Sequence, residues 1–345
     1  MWCAGSSPKF NTTTVVLFPI SRYNKLVEKN TNKRYNTLRA VSARMGGITM
    51  QNLLTKKGFI CDMDGVIYHG NRLLPGVQEF VAWLQKEHKK FLFLTNNSGK
   101  TQRELQSKLS RMGLDIDEKH FYTSALATAK FIADQMPRAR AFVIGEPGLL
   151  NALYEQGITF DDVAPDYVIV GESLSYTYEN ICRAVRFVQN GARLIGTNSD
   201  LTGPTEQGLV PACRALVAPI ELATGKAAYY VGKPNPLMMR TGLNILGCHS
   251  QDTAIIGDRM DTDIVAGIEC GLDTVLVLSG VTSREEIGHF PYRPRLVLKG
   301  VGEIPAAKGL PSAASACIID KDPGQVPQGA PDSKGQPPCL KGAAK

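Results

Sequence analysis

Four short stretches carry side chains that could share one piece of chemistry. Asp62 and Asp64 stand one residue apart in Cys61-Asp62-Met63-Asp64-Gly65-Val66, where an apolar run stops. Thr95-Asn96-Asn97 closes a second run with a hydroxyl and two amides, and Gly232-Lys233-Pro234 closes a third with a cation. Asp258, Asp261 and Asp263 follow a fourth run in Gly257-Asp258-Arg259-Met260-Asp261-Thr262-Asp263. Singly, each is ordinary: a DxD is commonly a turn or helix cap, and Thr-Asn is turn chemistry. Carboxylates that share a pocket with one lysine and a hydroxyl need a divalent cation to coexist, and ligands that are all oxygen favour Mg²⁺. Such a set is electrostatically complementary to a metal-bound phosphate.

The elements that must position these residues recur regularly. Short aliphatic or β-branched runs lie at 58–62, 91–95, 141–144, 167–170, 193–196, 229–232, 254–257, 274–278 and 296–298, most of them bounded by Gly, Asn or Asp. Helix-length segments separate them. Val77, Phe80, Val81 and Leu84 share one helical face after Pro75. Thr101-Gln-Arg-Glu104 reads as a capping box that opens a helix with Leu105, Leu109 and Met112 on one side and Gly113 as its stop. Near-continuous apolar strands alternating with amphipathic helices predict an α/β fold with doubly wound parallel sheets covered on both faces. Such sheets bind ligands at the carboxyl ends of their strands, where the four stretches fall.

Composition excludes several other classes. The 345 residues carry 39 Lys and Arg against 32 Asp and Glu, a formal +7. Residues 1–50 hold eight of the basic residues and a single acid, Glu28, so the excess belongs to that segment and the remaining 295 residues balance. No basic face for a nucleic acid polymer is expected from the rest. The longest apolar run near the N-terminus, Val15–Ile20, is far short of the ~20 residues of a membrane span. Eight scattered cysteines without a CxxC pair read as reduced thiols in a cytoplasmic compartment. Histidines form no zinc pattern, and no Walker A or GxGxxG fingerprint is present. The DxDG does not continue as an EF-hand, because Val66 occupies the next ligand position.

With its four stretches in that order, the chain resembles the haloacid dehalogenase (HAD) superfamily of phosphohydrolases, and within it the NagD-type branch related to p-nitrophenyl phosphatases. Ile60–Ile67, Tyr122–Ala127, Tyr167–Glu172, Gly191–Asn198, Tyr230–Pro234 and Val277–Val281 extend the likeness, which spans about residues 57–305. The resemblance implies a Rossmann-like core and an aspartyl-phosphate mechanism. Asp62 is then the nucleophile and Asp64 the general acid and base. Mg²⁺ is held by Asp62, the backbone carbonyl of Asp64, and Asp258. Thr95, the Asn96 amide and Lys233 bind the phosphate, while Asp263, Gly65 and Asn97 support the site. Dehalogenases of the superfamily lack the second carboxylate, so Asp64 favours a phosphatase.

Between Asn97 and Lys233 lie 135 residues with strands of their own, which predicts an α/β cap inserted between the second and third motifs. The expected division is a core at 57–136 and 228–305, with the cap at 137–227. By resemblance the cap's substrate-facing loop starts near Asn198 and Asp200, and relatives pair through their caps, so a homodimer is one expectation. Expected substrates are small soluble phosphates, nucleoside monophosphates such as UMP or GMP first. Sugar phosphates, phosphoglycolate or glycerol phosphate come second. A phosphate-ester binding protein that regulates partners is the rival of a different class. Residues 1–56 read as a basic disordered extension. Its Asn/Thr/Lys/Arg-rich composition also suits an organelle import segment, or sequence upstream of a start at Met45 or Met50. Residues 306–345, with six prolines and five glycines, read as a disordered tail.

Overall fold

A computed structural model describes residues 47–205 and 208–307. The expectations for residues 1–46 and 308–345 lie outside the described residues. The chain enters through a short helix, Met50–Leu54, capped by the Thr49 hydroxyl. It then forms β1 (Gly58–Cys61), the hairpin β2 (Tyr68–His69) and β3 (Arg72–Leu73), the helix Val77–Lys86 and β4 (Lys90–Thr95). The helix Gln102–Arg111 opens with the reciprocal capping box of Thr101 and Glu104, and is followed by β5 (Phe121–Thr123) and the helix Ser124–Gln135.

The inserted segment contributes β6 (Arg140–Ile144), the helix Pro147–Glu155, β7 (Thr159–Phe160), β8 (Tyr167–Val170) and the helix Tyr178–Gln189. It continues through β9 (Arg193–Gly196), a hairpin of β10 (Thr202–Thr205) and β11 (Gly208–Pro211), and the helix Cys213–Thr224, and it ends at β12 (Tyr229–Tyr230). The chain then returns with the helix Pro236–Leu246, β13 (Thr253–Gly257), a widened turn at Met260–Ile264, β14 (Asp273–Val277), β15 (Leu296–Leu298) and a last short helix, Glu303–Ala306.

Two parallel sheets result. The core sheet runs β15-β14-β13-β1-β4-β5, so successive strands leave β1 in opposite directions. The crevice over β1 and β13 is therefore the topological switch point, the place where such sheets take ligands. The cap sheet runs β12-β9-β8-β6-β7, also parallel throughout. The fold is α/β, a Rossmann-like core with an inserted α/β cap.

Apolar burial explains both layers. On one face of the core sheet Phe59, Phe80 and Trp83 form an aromatic cluster with centroids 5.5–6.4 Å apart. Each such ring removed from water contributes about 1.5–3 kcal/mol. On the other face Ile60, Leu92 and Leu94 join Met238, Met239 and Ile132 in a cluster that continues without a break into Leu149, Tyr167 and Ile169 of the cap. One shared apolar core thus runs from sheet to sheet.

Two expected boundaries move. Leu53 is fully buried in the cluster beneath β1, Ile48 joins it, and the Ile48 amide donates to the Arg295 carbonyl (3.1 Å). Lys56 pairs with Asp273 at 2.6 Å. Residues 48–56 are therefore part of the core and not of the extension; only two strongly buried apolar residues mark them, too few to register as a pattern. The strand expected at 229–232 lies in the cap sheet, because Tyr229 and Tyr230 pair in parallel with Ile195 and Gly196. The cap sheet thus runs past 227, and the chain crosses to the core at Val231–Lys233.

Candidate active site

Each acidic stretch lies where its strand ends. Asp62 follows β1, and its amide donates to Ile256 O (2.8 Å), a bond that continues the pairing with β13. Asp258 follows β13. The widened turn after it places Asp263 back over the strand end: the amides of Asp263 and Ile264 both donate to Arg259 O, at 3.1 and 3.2 Å. Carboxylate oxygens of Asp62, Asp258 and Asp263 lie within 4.8 Å of one another.

Lys233 binds this group together. It is 3% exposed, and its Nζ donates to Asp62 Oδ1 (2.6 Å), Asp263 Oδ1 (2.7 Å) and Leu94 O (3.3 Å). Burial works against the ammonium, but Asp263 and Asp62 outweigh it and hold Lys233 above the ordinary lysine range. Asp263 Oδ2 accepts from the Arg259 amide at 3.2 Å. Both of its oxygens are thus engaged by the protein.

Among the described residues, Asp258 has no cation of its own in contact. Its Oδ2 accepts from the Val281 amide at 2.7 Å, while Oδ1 is buried with no hydrogen-bond partner. Burial first, then Asp62 and Asp263, push its carboxyl up to about 8. An orphaned carboxylate oxygen beside two more carboxylates is a defect unless something positive sits there. A divalent cation fits these residues, and hard oxygen ligands suit it.

Asp64 is more open, with 45% of its side chain exposed, and His69 Nδ1 lies 3.9 Å from its Oδ1. Burial raises the Asp64 carboxyl, with Lys108 and His69 pulling the other way. The turn between the two aspartates depends on Gly65. Its φ is +79°, and a Cβ there would stand 2.5 Å from Asp258 Oδ2. Only glycine lets the turn pass so near Asp258.

The second stretch does two jobs. Thr95 is buried, and its Oγ1 accepts from the Asn97 amide (3.1 Å). The Asn96 side chain is engaged with protein: Oδ1 accepts from Lys233 N (2.8 Å), and Nδ2 donates to Lys233 O (3.0 Å) and Asp200 Oδ2 (3.0 Å). It holds the lysine-bearing peptide in place. Asn97 is exposed, with Oδ1 accepting from the Gly99 amide (3.0 Å), a local turn.

From the cap, Asn198 is fully buried. Its Nδ2 donates to Asn96 O (2.8 Å) and Glu172 Oε1 (2.7 Å), and its Oδ1 accepts from the Asp200 amide (3.1 Å). Asp200 keeps one buried oxygen, Oδ1, without a partner among the described residues, and burial raises its carboxyl against the pull of Arg259, Asn96 and Lys233. The structure thus brings Asp62, Asp258, Asp263, Lys233, Asn96, Asn198 and Asp200 into one connected network. Glu172 and Ser98 belong to it as well. No local motif marks them, because they meet across 74 residues of sequence.

Comparison with known proteins agrees with this arrangement. A sequence model of the haloacid dehalogenase-like hydrolases matches residues 59–159, and a HAD-hydrolase-like model matches 230–304. The chain is 44% identical over 246 residues to dihydroxyacetone phosphatase of Corynebacterium glutamicum, covering 71% of this chain and 90% of that protein. It is also 44% identical over 251 residues to the ribonucleotide monophosphatase NagD of Escherichia coli, covering 73% and 99%. The solved NagD structure superposes with a TM-score of 0.69 over 72% of this chain and 98% of that one. The 4-nitrophenylphosphatase of Thermotoga maritima superposes at 0.72 with 34% identity, over 74% and 98%. Strand-end aspartates, a buried lysine and an inserted cap thus occur in a chain related over most of its described length to phosphatases, and the chain belongs to the haloacid dehalogenase-like hydrolases as one of their phosphatases.

Proposed function

We propose that this phosphatase is a Mg²⁺-dependent phosphomonoesterase that acts through an aspartyl-phosphate on small soluble phosphates, nucleoside monophosphates first. The observation that carries it is the orphaned Asp258 Oδ1 beside Asp62 and Asp263, with Lys233 already joining Asp62 to Asp263. The names of the relatives support the substrate class: one is called a ribonucleotide monophosphatase and another a dihydroxyacetone phosphatase.

Asp62, whose Oδ1 is fixed by Lys233, attacks phosphorus in line and forms the acyl phosphate. Asp64, two residues on and partly open to solvent, gives its proton to the leaving alkoxide. It later takes a proton from the water that hydrolyses the intermediate. Asp62, the Asp64 backbone carbonyl and Asp258 would hold the divalent cation, which when bound offsets the negative charge of phosphate and carboxylates. The Thr95 hydroxyl, the Asn96 backbone amide and Lys233 hold the phosphoryl oxygens as charge redistributes. Asp263 keeps Lys233 in place through its 2.7 Å contact. The cap closes over the strand ends and limits water.

Phosphate release from p-nitrophenyl phosphate, UMP, GMP, glycerol phosphate and phosphoglycolate, with Mg²⁺ and with EDTA, tests the proposal. It holds if turnover needs the metal and the nucleotides give the highest kcat/KM. Turnover undiminished by EDTA removes the metal claim, and a sugar or glycerol phosphate leading the series replaces the substrate claim.

A further inference from the structure

The seam between cap and core is polar where it meets the phosphate-binding loop, and Glu172 lies at its centre. Glu172 follows β8 in the cap. Its Oε2 accepts from the hydroxyl of Ser98 and, at 3.4 Å, from the Ser98 amide. Its Oε1 accepts from Asn198 Nδ2 at 2.7 Å. Ser98 and Asn198 are both fully buried.

From this carboxylate the contacts continue inward. The same Asn198 Nδ2 donates to Asn96 O (2.8 Å), which also accepts from Ser124 Oγ (2.5 Å). The Asn96 side chain grips the Lys233 peptide at both N and O. Lys233 Nζ then joins Asp62 to Asp263. The junction is tight as well as polar. A Cβ on Gly232, where the chain re-enters the core, would stand 2.7 Å from Asn96 Oδ1 and from Thr197 O. Little slack is left for Asn96 to move without moving Lys233.

We propose that Glu172 is a positioning residue: by holding Ser98 and orienting the Asn198 amide it fixes Asn96, and through Asn96 the cap sets the placement of Lys233 and of the loop that binds phosphate. This rests on the phosphomonoesterase reading above. Glu172 touches none of the reacting atoms. Without it, Asn198 loses one of the partners that orient its amide, beside Asn96 O and the Asp200 amide, and the Ser98 amide loses its acceptor. A misplacement of about 1 Å in such a loop costs about a hundredfold in rate.

The test is a double-mutant cycle of Glu172→Ala and Asn96→Ala, with kcat and KM for p-nitrophenyl phosphate in Mg²⁺ and the melting temperature measured for every variant. Wild-type turnover of that ester is the control for the underlying reading; if it is absent, that reading fails whatever Glu172 does. Given turnover, we expect Glu172→Ala to lower kcat about ten- to a hundredfold with KM changed less than about threefold. We also expect the double variant to lose much less than the product of the single losses. A kcat within about twofold of wild type, or losses that multiply independently, overturns the proposal. Loss of melting temperature with kcat per folded molecule unchanged also overturns it, since that is a structural role alone. If the alanine variant folds poorly, Glu172→Gln replaces it in the cycle, because the amide can still accept from Asn198. A several-fold loss coupled to Asn96 then supports the proposal, and an uncoupled one overturns it.

Discussion

Replacing Asp258 by Asn should make the metal-free protein more stable and the enzyme inactive. In the absence of a cation the Asp258 carboxyl is pushed up to about 8 from an ordinary 3.8, by burial and by Asp62 and Asp263. A carboxyl raised in the folded state destabilises at any pH above its unfolded value, and the cost grows until pH passes the folded value. At pH 7 the gap is about three units, and at 1.36 kcal/mol per unit the cost is about 4 kcal/mol. Asn keeps the shape and carries no charge. Its carbonyl can still accept from the Val281 amide, and its amino group can donate toward the neighbouring carboxylates. Relief should be a good part of that figure, a rise of several degrees for a chain of this size. Mg²⁺ at about 100 times its Kd should stabilise wild type by about 2.7 kcal/mol and Asp258→Asn by far less. Thermal melts at pH 7 in EDTA and in Mg²⁺ read both effects. A lower melting temperature for the variant in EDTA, or an undiminished Mg²⁺ shift, would show that Asp258 is not the strained, metal-facing carboxylate described here.

Other outcomes follow from the same contacts. Lys233→Met leaves Asp62 and Asp263 buried without their shared cation, so it should cost about 3–5 kcal/mol in urea melts and lower kcat by about a hundredfold or more; retention of both would remove the lysine from the site. Leu53→Ala should cost about 2–5 kcal/mol, because Leu53 is fully buried beneath β1. Truncation of residues 1–56 should cost at least that much more than truncation of 1–46, and equal melting curves for the two would put residues 48–56 back outside the core.

What could be read from the chain and what could not divide along physical lines. Asp62, Thr95, Lys233 and Asp258 were legible because each ends an apolar run, and a parallel sheet brings strand ends to one edge. The capping box at Thr101 and Glu104 was legible because it is wholly local. β5 (Phe121–Thr123) makes no separate apolar run in the sequence, because its three buried residues run directly into the helix Ser124–Gln135. β12 was expected in the core because Tyr229 and Tyr230 precede Gly232-Lys233 without a break; only the pairing with Ile195 and Gly196 assigns them to the cap. The hairpin β10–β11 carries an exposed Gly208–Pro211 strand with no alternating pattern to betray it. Glu172 offered no local signal, since its partners are 74 and 26 residues away. Asn96 was legible as a site residue, but the sequence does not say that its side chain grips the Lys233 peptide, a contact made across 137 residues.

The covalent role of Asp62 is tested most directly by acid-quenching the enzyme within the first turnover of UMP or p-nitrophenyl phosphate and mapping the phosphoryl group by mass spectrometry. The peptide containing Asp62 should carry one phosphoryl group, absent when Asp62→Asn is used and absent after turnover is complete. Product formed in that first turnover with Asp62 unmodified, or a phosphoryl group on any other side chain, would contradict the account.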